Sequence, residues 1–168
     1  LLGRVADLKS AYKQLPAHPA HACFGIIGVK DPNSNEVKLF ESLSLMFGQT
    51  AAVYAFLRFS RALAAIGTVL FGLVTTEFFD DFIQIEPSLT SENAHDTIEK
   101  LFKLLGWKIA DDPSKRKPFA DHFVALGVLL SFEESQSGRI GMACKPGRAE
   151  AISDQIFEVT NVGRMNFR

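Results

Sequence analysis

Two β-prone apolar runs, Leu73–Phe79 and Phe82–Ile85, are separated only by the dipeptide Asp80-Asp81. Runs this close together pair as a tight hairpin, which places two carboxylates at its turn. No Lys or Arg occurs in the range 62–99. Adjacent carboxylates among phenylalanines repel each other unless a cation lies between them, and a hard divalent cation with oxygen ligands is the usual partner. A solvated hairpin turn is the alternative interpretation, because Asp is a common turn residue.

The rest of the chain shows alternating strand-like and helical segments. Apolar residues form short continuous runs in the former and recur every three or four positions in the latter. The predicted strands are Leu2–Leu8, Cys23–Val29, Val37–Phe40, Phe123–Phe132 and Arg139–Cys144, and the predicted helices are Thr50–Ile66 with Gly67 at its end, a helix from the N-cap Ser91 to Gly106, and Arg148–Val159. This order predicts an α+β fold in which helices pack on one face of an antiparallel sheet.

Composition sets the broad class of the chain. Its 168 residues are 47% hydrophobic and 22% charged, which is enough apolar material for one globular domain. A formal net charge of −1 excludes binding of nucleic acid or anionic membrane through bulk charge alone. The uncharged stretch 62–76 is too short for a transmembrane helix, so we expect no membrane partner. Two cysteines suggest a reducing, intracellular compartment, either cytoplasm or nucleus.

Five sequence blocks carry a family resemblance. The first is DLKSAYKQLP, which begins at Asp7, and the next two are SLMFGQTAAVYAFLRFSRAL and FFDDF. LFKLLGWKIADDPSKRKPF and FVALGVLLSF follow in that order. Together they resemble the palm of a retroelement reverse transcriptase, from Leu1 to about Phe132 and more loosely to the end. The resemblance implies a ferredoxin-like palm core over 1–110. It also implies the end of the palm, a primer-grip hairpin and the start of the thumb or connection over 111–168.

The resemblance implies the chemistry of an RNA-directed DNA polymerase. Asp7, Asp80 and Asp81 would hold two Mg²⁺ ions, for which Mn²⁺ can substitute, and the Leu8 carbonyl would complete the metal shell. Nucleotidyl transfer from a dNTP to a primer 3′-hydroxyl needs two metals more than it needs a protein nucleophile. The implied partners are an RNA or DNA template, a DNA primer, the dNTP, and the remainder of a polyprotein with fingers and thumb, with or without a ribonuclease H region. Because the fingers are absent from this chain, we expect it to be inactive alone.

Four residues match nucleotide-binding positions of the family. Tyr12 corresponds to a steric gate that selects deoxynucleotides, although a core tyrosine is an equal alternative. Gly48 and Gln49 correspond to the nucleotide pocket and template contact, and Gly48 also permits a turn into the helix. Lys115 falls near the position of the family's fourth-block lysine, which protonates the leaving pyrophosphate. A solvated loop is the alternative interpretation of Lys115.

Three residues match primer-binding positions, namely Phe78, Leu126 and Gly127. A plain β-hairpin explains the Leu-Gly pair equally well. Phe78 also stands where many members of the family have Tyr, and Phe79 beside it is bulky for a variable position.

These departures, with Met46 and Val53 at two positions where the second block commonly has proline, leave a second hypothesis open. The chain can be a catalytically dead remnant or a repurposed nucleic-acid-binding module. A third hypothesis is an unrelated magnesium-binding α+β domain. The position of Asp7 distinguishes the polymerase hypothesis from this third one, because the polymerase hypothesis requires Asp7 to lie beside the Asp80-Asp81 turn.

Histidines and cysteines give weaker signals. A structural zinc site needs four ligands, whereas His18, His21 and Cys23 offer only three, so we expect no zinc there. His95 and His122 are expected at the surface or at an interface.

Overall fold

The computed structural model describes residues 1–112 and 115–162 and has an α+β fold with antiparallel sheets. Its strands are β1 Leu2–Asp7, β2 Ile26–Lys30, β3 Val37–Glu41, β4 Thr75–Phe78, β5 Asp81–Glu86, β6 His122–Ala125, β7 Val128–Ser131 and β8 Gly141–Cys144. Its helices are α1 Thr50–Phe71, α2 Ser91–Leu104 and α3 Arg148–Val162. The strands form three sheets, with orders β1-β5-β4, β2-β3 and β6-β7-β8.

One face of the β1-β5-β4 sheet packs against α1 and α2. β5 alternates between buried and half-buried residues, so that Phe82 faces the helices. Its ring meets Phe102 of α2 edge to face, with 4.8 Å between the ring centroids. α1 contributes Phe56, which is fully buried, and α2 contributes Ile98. Burial of each such side chain stabilises the fold by about 1.5–3 kcal/mol, so this layer forms the main core.

The opposite face of that sheet packs against the β6-β7-β8 sheet. Val5, Ile83 and Ile85 point to this side and contact a smaller cluster around Phe123. The Phe123 ring lies directly on Gly3, where any side chain would collide with it. Gly3 also exchanges two backbone hydrogen bonds with Ala120, of 2.8 and 3.0 Å. The absence of a side chain at Gly3 therefore lets the second sheet reach β1.

The β2–β3 hairpin stands apart from both layers. All ten of its residues are exposed, and its apolar side chains lie on both faces. It is attached at its base, where the Ser42 amide donates to the Gly25 carbonyl and the Ala17 amide donates to the Leu43 carbonyl. The hairpin was predicted, but its first strand begins at Ile26, because Pro19–Phe24 forms a 3-10 helix.

Several other predicted boundaries are wrong. α1 continues through Gly67 to Phe71 and ends at Gly72, whose φ is +67°. A Cβ at Gly67 would lie 3.6–3.7 Å from atoms of β4 and α2 and of Leu73, so this glycine marks close packing within the helix and not its end. Ser91 is the first residue of α2, and the preceding Thr90 makes no side-chain cap bond.

The predicted strand Phe123–Phe132 is two strands joined by a tight turn. β6 and β7 pair with each other, Ala125 opposite Val128. The break at Leu126-Gly127 was part of the predicted Leu-Gly hairpin. The prediction for 111–168 as a separate segment includes 113–114 and 163–168, which lie outside the described residues.

Among the described helices, α1 alone is long and apolar enough to cross a membrane, judged by length and composition. Of its most apolar 18-residue window, 28% is buried inside the structure. The expectation of no transmembrane segment was based on the shorter uncharged stretch 62–76, and it stays a prediction.

Candidate metal centre at the turn between β4 and β5

The register of β1 with β5 places Asp7 directly opposite Asp81. β4 pairs with the other edge of β5, with Phe78 opposite Asp81, so Phe79 and Asp80 form the connecting turn. The turn was predicted at Asp80-Asp81, but Asp81 is the first residue of β5, so the turn lies one residue earlier. Beyond β1, the Leu8 amide donates a 3.2 Å hydrogen bond to the Asp80 carbonyl. Three aspartates from two distant parts of the sequence therefore meet at one end of the sheet. This is the arrangement that the polymerase hypothesis required.

The turn itself holds a bulky residue in a left-handed conformation. Phe79 has φ +57°, a region that L side chains rarely adopt, with a cost of order 1–3 kcal/mol. Two contacts hold it there: the Ser60 hydroxyl donates to the Phe79 carbonyl, and the Phe78 ring meets the Phe79 ring edge to face at 5.0 Å. The turn is therefore fixed to α1.

The three carboxylates repel one another in a partly buried environment. Burial raises the pKa of the Asp80 carboxyl, and the charge of Asp7 and a hydrogen bond with the Asp7 side chain raise it further. Burial, followed by the charges of Asp7 and Asp80, raises the pKa of Asp81. The Asp7 side chain is only 10% exposed. This cluster has negative charge in excess of its protein partners, which favours a bound cation.

One basic side chain reaches the carboxylates. The Lys115 ammonium donates a hydrogen bond to Asp7, and this ion pair raises the pKa of Lys115. Lys115 was predicted near the site with a solvated loop as the alternative. Its side chain is 56% exposed, yet the structure brings it into the cluster. One ammonium against three carboxylates leaves the centre negatively charged.

The donor atoms at this end of the sheet fit Mg²⁺. Carboxylate oxygens are the ligands that a hard divalent cation prefers. Leu8, whose carbonyl was predicted as a main-chain ligand, adjoins them through the hydrogen bond from its amide to the Asp80 carbonyl. Asp7, Asp80 and Asp81, together with the Leu8 carbonyl, offer only oxygen donors. These residues would hold the ion or ions.

Tyr12 lies between the core and the candidate centre. It is 5% exposed, and its ring stacks on Phe56 with 4.6 Å between centroids. Phe47 lies against the same ring at 4.7 Å. Burial raises the pKa of the Tyr12 hydroxyl, and the charge of Asp80 raises it further. Tyr12 is therefore a core residue and also a neighbour of Asp80, and its role as a steric gate stays a prediction.

Gly48 and Gln49 are not brought to the carboxylates. Gly48 has φ +87°, which fits its predicted role in the turn into α1. Gln49 precedes the helix, and its amide nitrogen donates a 2.7 Å hydrogen bond to the Phe24 carbonyl. Ser60, which contacts Phe79 in the turn between β4 and β5, lies eleven residues after Gln49, a rise of about 16 Å along the helix. Gln49 instead lines a cavity of about 610 Å³ with His18, His21 and Met46.

The predicted primer-binding residues lie in two separate places. Phe78 is the last residue of β4, is 53% exposed and precedes the turn Phe79-Asp80. Leu126 and Gly127 form the β6–β7 turn with φ +51° and +79°, the positive pair typical of a type I′ hairpin. The Arg148 guanidinium lies against Gly127. No contact joins this second turn to the carboxylates within the described ranges.

The sequence analysis missed a buried polar network behind the sheet. Arg4, which is 2% exposed, donates a 2.8 Å hydrogen bond to Gln84 and contacts Nδ1 of His95. Nε2 of His95 lies 2.9 Å from Glu99. Glu99 also accepts from two nitrogens of Arg116. His95 was expected at the surface or at an interface, but it is half-buried and lies at the centre of this network.

Two features of the network were visible in the sequence. Gln84 interrupts the otherwise apolar run of β5, and Arg4 lies among apolar residues of β1. Burial lowers the pKa of Arg4 to about 10. One nitrogen of each side chain, Nη2 of Arg4 and Nε2 of Gln84, has no hydrogen-bond partner among the described residues.

A second cluster of potential metal ligands lies at the surface. The ligand atoms of Asp121, His122 and Glu133 lie within 4.8 Å of one another, and all three residues are exposed. Each ring nitrogen of His122 already faces one of the carboxylates. His122 was predicted at the surface, and it lies there.

Comparisons with known proteins give no independent identification. No protein-family model matches the sequence, and no curated protein is significantly similar to it.

Proposed function

We propose that the chain is the palm of an RNA-directed DNA polymerase from a mobile element, which transfers nucleotides from dNTPs to a primer 3′-hydroxyl. The observation that carries this proposal is the pairing of Asp7 with Asp81, with Asp80 adjacent in the turn. Four of the five resembling blocks contribute to this end of the sheet or to α1 behind it. The catalytic role of the carboxylates, the magnesium requirement and the nucleic-acid partners all belong to the proposal.

The connectivity supports a ferredoxin-like palm core. Strand β1 is followed, after the inserted β2–β3 hairpin, by α1, the β4–β5 hairpin and α2. The segment after α2 then returns to the free edge of β1, where Ile109 bridges Leu8. This is a split β-α-β arrangement in which the last strand is reduced to single bridges. In this arrangement the turn between β4 and β5 lies at one end of the sheet.

The residues at the turn suit phosphoryl transfer. Two Mg²⁺ ions, when bound, would supply activation of the primer hydroxyl and neutralisation of phosphate charge. Asp7, Asp80 and Asp81 would hold them, and the fixed Phe79 conformation keeps Asp80 and Asp81 oriented. Tyr12, wedged between Phe47 and Phe56, presents a rigid ring near Asp80 that would exclude a ribose 2′-hydroxyl. The Lys115 ammonium can donate a proton to a leaving group.

Two measurements test this proposal. The first is calorimetric titration of Mg²⁺ or Mn²⁺ into the 168-residue chain. Binding is expected, with a loss of at least tenfold in Asp80→Asn. The matched control is Asp96→Asn on α2, which removes one exposed carboxylate distant from the turn. If Asp80→Asn and the control bind the metal equally well, the metal assignment is wrong.

The second is primer extension on an RNA template by a polypeptide that contains this chain with its natural flanking sequence. Product is expected, and Asp80→Asn should abolish it while Asp96→Asn leaves it unchanged. Metal and nucleic-acid binding without extension would support the alternative of a repurposed binding module. Absence of both would support a remnant.

A further inference from the structure

We infer that the Arg116–Glu99 ion pair is a positioning element that holds the Lys115 ammonium against Asp7, where Lys115 competes with a divalent cation for the same carboxylate. This inference rests on the proposed metal centre and adds to it a built-in counter-ion. Lys115 then leaves Asp7 when the metal binds, and the strength of the Arg116–Glu99 pair sets how readily it leaves.

The two side chains of the Lys115–Asp7 pair differ sharply in solvent exposure. The lysine side chain is 56% exposed and the aspartate side chain is 10% exposed. A flexible cation therefore covers a nearly buried anion from the solvent side. Asp7 is also the residue opposite Asp81, so the ammonium contacts the carboxylate that an incoming metal ion must share.

Arg116, the residue next to Lys115, is attached to Glu99 of α2. Arg116 donates through Nε and Nη2 to the two oxygens of Glu99, and the Nε hydrogen bond is 3.1 Å long. A bidentate guanidinium–carboxylate pair fixes orientation as well as distance. The amides of Lys115 and Arg116 both donate 2.9 Å hydrogen bonds to the Asp112 carbonyl, so the two residues are bound to the same backbone atom. Fixing Arg116 therefore restricts where Lys115 can reach.

Glu99 is itself held in place by His95. It lies on α2, one helical turn after His95, whose Nε2 is 2.9 Å from the same carboxylate. His95 contacts the buried Arg4 on β1, three residues before Asp7. The anchor and the carboxylate thus belong to the same rigid layer of helix and strand. The pair Lys115–Asp7 is positioned from both sides.

The test compares Mg²⁺ affinity of the 168-residue chain and its variants by titration calorimetry, with folding of each variant checked by circular dichroism. Lys115→Met is expected to bind Mg²⁺ about threefold to tenfold more tightly than the wild type, because the competing ion pair is gone. Lys117→Met is the matched control, since it removes the same charge from the same segment. Its effect should be clearly smaller than that of Lys115→Met.

Glu99→Gln gives the sharpest discrimination. Removal of a negative charge weakens cation binding by simple electrostatics, whereas release of Lys115 from its anchor strengthens it. We expect tighter Mg²⁺ binding in Glu99→Gln. Arg116→Lys keeps the positive charge but loses the bidentate pair, so tighter binding is expected there too, which keeps the inference testable if the buried network does not tolerate the first variant. The double variant should match either single one, because both act through one ion pair.

The outcomes separate this inference from the proposed function. Equal affinity in the wild type and Lys115→Met, or weaker binding in both anchor variants, overturns the positioning role and leaves the metal centre intact. Absence of Mg²⁺ binding in the wild type and in Lys115→Met overturns the metal centre and the inference together. Binding that appears only in Lys115→Met supports competition directly.

Discussion

Asp7 and Asp81 face each other across the β1–β5 ladder, at its last pair. Like charges directly opposite in a sheet destabilise it. Burial and the neighbouring carboxylates also raise the pKa of Asp81. The end of the sheet therefore loses stability so that three carboxylates can be close together.

Asp81→Asn is expected to stabilise the metal-free fold by about 0.5–1 kcal/mol, because it removes one of the repelling charges. Addition of Mg²⁺ should cancel the difference or reverse it, because a ligand that binds only the folded state stabilises the wild type. Urea unfolding with a chelator and with excess Mg²⁺ measures both effects. Asp96→Asn serves as control, and a lower unfolding free energy for Asp81→Asn in chelator contradicts the prediction.

His95 makes the fold sensitive to mild acid. Burial, and then the positive charge of Arg4, lower the pKa of the His95 imidazole from its ordinary 6.5. Its neutral form accepts from Arg4 at one nitrogen and donates to Glu99 at the other, while Arg116 and Asp96 contribute smaller opposing effects. In the unfolded chain His95 takes up its proton near pH 6.5, before the folded chain does. The unfolding free energy should therefore fall as the pH drops below about 6.5.

The measurement is urea unfolding at pH 7.5 and at pH 5.5 for the wild type and His95→Gln. The variant should lose less stability on acidification than the wild type. A wild-type slope that His95→Gln does not reduce would be the opposite result.

Gly3→Ala should destabilise the chain by about 1–3 kcal/mol, because a Cβ there collides with the Phe123 ring and pushes the two sheets apart. Gly28→Ala is a matched control in another strand. Its Cβ would meet Val37 at 3.5 Å, an ordinary contact, so a neutral or slightly stabilising effect is expected. Thermal unfolding followed by circular dichroism compares them, and equal melting temperatures for both variants would count against this packing.

Leu126→Asn should stabilise the β6–β7 turn by about 0.5–1 kcal/mol, since Asn adopts positive φ more readily than Leu and Asn-Gly is the preferred type I′ pair. Leu126 is 50% exposed, so little buried area is lost. Gly127→Ala should act in the opposite direction, because its φ is +79° and its Cβ would lie 2.5 Å from the Arg148 guanidinium. Chemical unfolding of both variants checks the signs, and a loss of stability in Leu126→Asn would contradict the assigned turn.

The convergence of the aspartates was predictable from the sequence because its signals are local or ordered. Two β-prone runs separated by only two residues pair with each other as a hairpin. A first strand that ends in a carboxylate, followed by blocks in a familiar order, predicted that Asp7 joins this turn. The period of α2 likewise required no tertiary information, since its buried residues Ala94, Ile98 and Phe102 lie on one face.

The buried network was not predictable, because its contacts join residues about ninety positions apart. Arg4 and His95 are separated by 91 residues, and nothing local indicates that they meet. Gly67 misled the helix prediction for a related reason, since its function is close approach to Thr75 and Ile98 in other elements. The Lys115–Asp7 contact depends on how Arg116 is held by α2, which is again a tertiary property.

The β2–β3 hairpin has a consequence for the behaviour of the chain in concentrated solution. It is a two-stranded ribbon with exposed apolar residues on both faces, among them Ile27, Leu39 and Phe40. Its outer edges carry amide and carbonyl groups that no strand of the described chain pairs with, and such edges nucleate intermolecular strand addition and aggregation. The hairpin, which takes no part in the carboxylate cluster, is therefore an expected site of association between copies of the chain.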